Sequence, residues 1–187
     1  MKEKIEFHYI MSGLVKNVYD FVDTDDLKIS KKYVLKKYNE RLTEIYLMEE
    51  KITNMPIGME KFELFTEKNP SSIPLNIAYK AVQIIDAEKS ENFLYNLRYA
   101  TIVDTHQTIK FEEILKVVRK TGIDEEKFIE KFRDGSAEKS LKNDLEICQK
   151  LNIHSLPSYL IAYEDKKILI QELLGYEYFV EIIKKIE

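Results

Sequence analysis

The sequence has a single cysteine, Cys148, and that scarcity limits its chemistry more than any other feature. One thiol excludes an intrachain disulfide and any cysteine-built metal cluster. Histidine is scarce too, and Asp104-Thr105-His106-Gln107, where a ligand pair might be sought, fits no defined metal spacing. No window approaches a membrane span, and Met1-Lys2-Glu3-Lys4-Ile5 leads straight into a strand pattern, which argues against a secretory leader. A basic surplus is also lacking: the net charge of −4 speaks against a nucleic-acid partner, which normally needs a basic face. Internal repeats and low-complexity tracts are absent, and no cofactor is called for. The expectation is a cytoplasmic chain that binds neither nucleic acid nor membrane.

What is present is ordinary for a globular core: 44% of the 187 residues are hydrophobic, enough for one large domain or a small one with an insertion. Lys4 to Ile10 alternates apolar and polar residues and predicts a half-buried strand. Ser12-Gly13 breaks it, and Asp23 to Asp26 marks a loop. Ser30 caps a predicted helix to Glu50 through Val34, Leu35, Tyr38, Leu42, Ile45 and Tyr46. Asn54-Met55-Pro56-Ile57-Gly58 is an irregular connector. After Asn69-Pro70-Ser71-Ser72-Ile73-Pro74, Ser72 opens a helix with Pro74 in its first turn. Further helices are predicted over Ser90–Asp104, over Phe111–Lys120 with Gly122 as a stop, and from Asp124 and Ser136 as starts. The chain closes with two apolar runs, Tyr159–Tyr163 and Lys167–Glu172, around a polar Glu164–Lys167 turn. A last helix, Tyr178–Ile186, follows Gly175. The paired runs read as a β-hairpin.

Four blocks carry a resemblance. They are Phe7-His8-Tyr9-Ile10-Met11-Ser12-Gly13-Leu14, Met55-Pro56-Ile57-Gly58, Asn69–Pro74 with Ala78 and Lys80-Ala81, and the Leu156-Pro157 loop ahead of the hairpin. In order and spacing they resemble the DsbA-type thioredoxin-fold proteins related to FrnE and to the YjbH adaptor. The resemblance implies an α/β thioredoxin-like sheet built from residues 1–22 and 136–187, with a helical insertion over 23–135. It also implies that Leu156–Pro157 is cis and that Leu156 pairs its backbone with an extended peptide or a thiol ligand, a form of strand addition. The candidate binding residues are therefore His154, Ser155, Leu156 and Pro157.

The departure from the family is as informative. The Phe7–Leu14 block corresponds to the family's second strand. The first strand, the Cys-x-x-Cys loop and a helix that precede it, roughly 25–35 residues by ordinary element lengths, have no counterpart. The missing strand would lie between Ile5–Ile10 and Tyr159–Tyr163, leaving two rows of backbone groups unpaired. The first strand moves over, or a second copy or another chain donates a strand as in a homodimer, or the natural chain starts upstream. No catalytic residue is assigned. The resemblance implies the disulfide oxidoreductase/isomerase family, its redox motif absent here. The alternatives are a redox-silent binding protein or YjbH-like protease adaptor with a protein or peptide partner and, with less support, a kappa-type glutathione-using isomerase or transferase. Cys148, at i+3 from Leu145, reads as a core residue rather than a reactive thiol. His154 reads as satisfying a loop carbonyl, His8 as facing solvent or the insertion, and His106 as part of a helix-ending loop.

Overall fold

The computed structural model of the protein describes residues 6–22, 28, 30–54, 56–58 and 62–186. Seven helices and one hairpin are formed among them: α1 Lys31–Thr53, α2 Ile73–Ile85, α3 Ala87–Ile102, α4 Phe111–Lys120, α5 Glu125–Arg133, α6 Ser136–Lys150, β1 Tyr159–Tyr163, β2 Lys166–Ile170 and α7 Tyr176–Ile186. A 3-10 turn spans Val18–Phe21.

Local signals set most of these boundaries. Ser30 Oγ accepts from the Tyr33 N–H at 3.1 Å, which satisfies one of the free donors at the start of α1. The helix ends where Asn54 turns left-handed at φ 55° and its N–H reaches Glu50 O. Asp124 caps α5 in the same way as Ser30 caps α1, through the Lys127 N–H. Two starts fall earlier than the apolar periodicity suggests. Helix α3 begins at Ala87 because Asp86 accepts from the Lys89 N–H, and α7 begins at Tyr176, directly after Gly175. Ser72 occupies the position before α2, yet it does not cap it. Its hydroxyl donates to Val15 O at 3.1 Å instead.

Helix α2 is the centre of the molecule, because its stretch Ile77–Val82 is buried throughout and α3, α5 and α6 pack around it. The resulting core holds Tyr79, Val82, Phe93, Ile114, Val118, Phe128 and Leu141. It runs without a break across position 135/136, where the sequence places a domain division: Ala137 and Leu141 of α6 pack among the helices of the expected insertion. A second cluster gathers Val15, Val18, Leu35, Leu64, Phe65, Ile102 and Ile109. Asn39 fastens it, since its buried carboxamide accepts from the Phe65 N–H at 3.2 Å and donates to Phe65 O at 3.0 Å.

The strand expected over Lys4–Ile10 is not formed at residues 6–10; residues 1–5 lie outside the described residues. A strand needs a neighbour for its ladder, and among the described residues none lies alongside. The segment is held by other groups. Met11 N–H donates to Asp144 Oδ2 at 2.9 Å, Ser72 N–H to Val15 O at 2.9 Å, and Val18 N–H to Pro70 O at 2.8 Å. Two of the blocks singled out in the sequence, 7–14 and 69–74, thus meet in space. The connector is fixed elsewhere, at the end of α3, where the Gly58 N–H donates to Ile102 O at 2.9 Å. A Cβ there would collide with the Val103 carbonyl oxygen, so only glycine fits.

The hairpin is antiparallel, with Tyr159 opposite Ile170 and Tyr163 opposite Lys166. Its turn is only Glu164-Asp165, shorter than the four polar residues suggest, and Glu164 turns left-handed at φ 49°. Lys166 belongs to the ladder rather than the turn because its amide faces Tyr163 in register. Helix α7 packs Phe179 on Tyr159, ring centroids 5.6 Å apart, and Lys166 Nζ donates to Ile186 O. These two strands form the whole sheet among the described residues, so each is an edge.

Candidate functional site

The loop from Asn152 to Ser158 joins the end of α6 to β1, and Gln171 braces it from the far end of β2. Asn152 turns left-handed at φ 52°, and Ile153 N–H closes back on Cys148 O at 2.9 Å. Gln171 then uses its side-chain carbonyl to accept from His154 N–H at 2.9 Å. Its amide nitrogen donates to Asn152 O at 3.1 Å, and its backbone carbonyl accepts from Ser155 Oγ at 2.6 Å. Ser158 Oγ closes the loop by donating to Ser155 O at 2.6 Å. The Leu156–Pro157 peptide bond is cis.

All four residues singled out in the sequence come together here. Their roles differ from one another. The His154 imidazole is exposed, and among the described residues only its backbone N–H is engaged, so the expected bond from the ring to a loop carbonyl is not made; the Gln171 carboxamide takes that bracing role. Ser155 is a fastener. Leu156 is the presented residue: its side chain is 48% exposed, and neither its N–H nor its carbonyl has a partner among the described residues. Pro157 is half-buried behind it. The braced loop thus offers one donor, one acceptor and an apolar side chain beside the free edge of β1. That is the set of groups an extended chain needs for strand-like pairing.

Cys148 sits one turn before this loop. It is half-buried rather than part of the core, because the buried stripe of α6 is Ala137, Leu141 and Asp144 and stops a turn before it. Burial pushes the thiol pKa up, and the Asp144 carboxylate adds to the rise. Its thiolate is disfavoured, the opposite of what a nucleophilic cysteine requires. His8 is exposed beside Glu6, and His106 lies exposed in the turn after α3, its Nδ1 3.7 Å from Glu113. Among the described residues no three His, Cys, Asp or Glu side chains gather as a metal would need. No helix there is long and apolar enough to cross a membrane.

Sequence reasoning missed one feature, a buried ion pair. Lys80 Nζ lies 3.1 and 3.0 Å from the two carboxylate oxygens of Asp144, and both side chains are almost wholly buried. Asp144 Oδ2 also takes the Met11 N–H, so three segments meet at one carboxylate. The signal was there to be read: Lys80 interrupts the apolar run Ile77–Val82, and Asp144 falls on the apolar stripe of α6 with Leu141 and Leu145. Two opposite charges on faces that must be buried call for each other.

A central helical body, a C-terminal hairpin covered by a helix and a proline loop at the head of the first hairpin strand define a thioredoxin-like fold. A thioredoxin family model matches residues 1–181, and the chain belongs to that family. Solved structures agree on the fold. A protein disulfide isomerase candidate from Nitrosomonas europaea is similar with a TM-score of 0.70 at 15% identity, over 80% of this chain and 73% of that one. The cytosolic disulfide reductase DsbM from Pseudomonas aeruginosa is similar with a TM-score of 0.59 at 16% identity, over 75% of this chain and 74% of its own. DsbM with GSH gives 0.57 at 17% identity, over 74% and 73%. No curated protein matches the sequence.

Proposed function

We propose that this chain serves thiol–disulfide chemistry as the polypeptide-holding part of a DsbA-type protein of the disulfide oxidoreductase/isomerase class. The reading is carried by Leu156, whose unpartnered backbone N–H and carbonyl stand beside the free β1 edge in a loop that Gln171 keeps rigid. An extended substrate adds to them as a short strand, with Ser155 and His154 flanking it and Leu156 supplying an apolar contact. Disulfide exchange needs a thiolate pair, and this chain has one thiol. Binding is therefore its own contribution. The test is titration of the chain with S-alkylated insulin B chain or S-methylglutathione. Saturable binding that Leu156→Arg and Pro157→Thr weaken at least tenfold is expected, and unchanged affinity in both variants removes the loop from consideration.

A second reading has a specific observation behind it. The only thiol is half-buried with a raised pKa, which suits a redox-silent binding protein, such as a YjbH-like adaptor that presents a partner to a protease. Insulin reduction separates the two. Turnover when a cysteine-bearing partner or segment is supplied supports the first, and binding without turnover supports the second. The free β1 edge also accepts a strand from a second copy of the chain, completing the sheet as a homodimer. Sedimentation velocity that shows only monomer at high micromolar concentration removes that pairing.

A further inference from the structure

A cavity of about 530 Å³ lies between the two apolar clusters, walled by α1, α2, α3 and the 11–15 segment. Leu42 and Tyr46 of α1, Leu94 and Leu97 of α3, and Leu64 and Phe65 form much of its surface. No aspartate or glutamate among the described residues lines it. Its charged residues are Arg41 of α1 and Arg98 of α3. Neither guanidinium pairs with a carboxylate among the described residues; Arg98 instead lies 5.9 Å from the centre of the Tyr9 ring.

Lys36, Lys89, Lys116, Arg119, Lys127 and Lys131 each have an acidic neighbour within ion-pair distance. Arg41 and Arg98 are left without one, and both are exposed while lining the same apolar cavity, so they put positive charge on its solvent-facing side. A guanidinium presents a fork of donors that fits a carboxylate bidentately. Apolar walls favour an apolar body, and the volume falls in the range of roughly 300–1,000 Å³ usual for small-ligand sites.

We infer that this cavity binds an amphipathic monocarboxylate, an alkyl chain ending in one carboxylate, with the alkyl body between α1 and α3 and the carboxylate held by Arg41 and Arg98. The site is separate from the Leu156 loop.

The test is calorimetric titration of the full chain with dodecanoate below its micellar concentration. One saturable site is expected, with dodecanol and acetate each at least tenfold weaker. Arg41→Gln and Arg98→Gln should each weaken dodecanoate at least fivefold, while leaving dodecanol affinity and the thermal midpoint unchanged. Arg98→Lys, which keeps the charge and loses the fork, should fall between. Ile45→Trp, at the cavity rim, should block the site. Equal affinity for dodecanol, undiminished binding in both arginine variants, or the absence of a saturable site overturns the proposal. So does a loss of dodecanoate binding in Leu156→Arg, because the ligand would then sit at the loop.

Discussion

The helical body and the hairpin unit of this protein are stabilised in different ways. In the body, α2 is enclosed by α3, α5 and α6, and Phe93 and Phe128 are sealed completely from solvent. From Leu151 to Lys185, by contrast, no residue is buried, and Ile186 alone closes the unit against water. A two-stranded hairpin is marginal in isolation, since each strand leaves one row of backbone groups unpaired and little apolar area is removed from water. The contrast separates scaffold from site. The stable part holds the loop's anchor at α6, and the part proposed to meet a partner keeps its pairing groups free among the described residues.

Five measurements would break or sharpen that contrast. The largest effect belongs to Phe128, packed with Phe93, Phe111 and Phe132. Phe128→Ala should cost about 3–5 kcal/mol in urea unfolding, by lost transfer energy and a cavity. A loss below ~1 kcal/mol would mean the aromatic cluster is not the centre of stability. Asp144→Leu should cost almost as much, about 3–5 kcal/mol, because it leaves the Lys80 ammonium and the Met11 N–H buried without an acceptor. Lys80→Met combined with Asp144→Leu should recover most of that loss; a double variant as unstable as the single one would show that the charge is not the cause.

The hairpin should respond far less. Leu160→Ala, at a half-exposed position of β1, should change global stability by no more than ~0.5 kcal/mol. In native-state hydrogen exchange the amides of β1, β2 and α7 should open at lower free energy than those of α2 and α3. Equal protection would erase the distinction between the regions.

The smallest effect is electrostatic. Hydrogen bonds from Ser136 and Lys131 hold the Asp134 carboxyl down to about 2, from an ordinary value of 3.8. A carboxyl whose pKa is lowered by folding stabilises the native state above its unfolded value, and that contribution disappears as pH falls through the folded one. Acidification from pH 4 to pH 2 should therefore weaken the α5–α6 junction. Asp134→Asn should flatten that part of the acid unfolding curve, and an unchanged curve would rule the carboxyl out.

How much of this was legible in the sequence depended on how local the cause was. Ser30 and Asp124 act on amides three residues away, so the starts of α1 and α5 could be read from single side chains. The hairpin followed from two β-branched and aromatic runs, and the loop residues from the Leu156-Pro157 block. Gln171 was out of reach of such reasoning, because its bonds to Asn152, His154 and Ser155 close only when β2 returns beside β1. The strand expected at Lys4–Ile10 failed for the same reason in reverse: alternation gives a segment two faces, and it supplies no neighbour.

By itself, then, the sequence determined the helical periods, the hairpin, the family resemblance and the limit that one cysteine places on redox chemistry. These depend on residue type and on spacings of a few positions. Only the tertiary structure decided that Lys80 meets Asp144, that Arg41 and Arg98 reach the same cavity, and that Leu156 keeps its backbone groups free among the described residues. Those facts depend on which distant segments the packing of α2 brings together, and no short-range pattern records that.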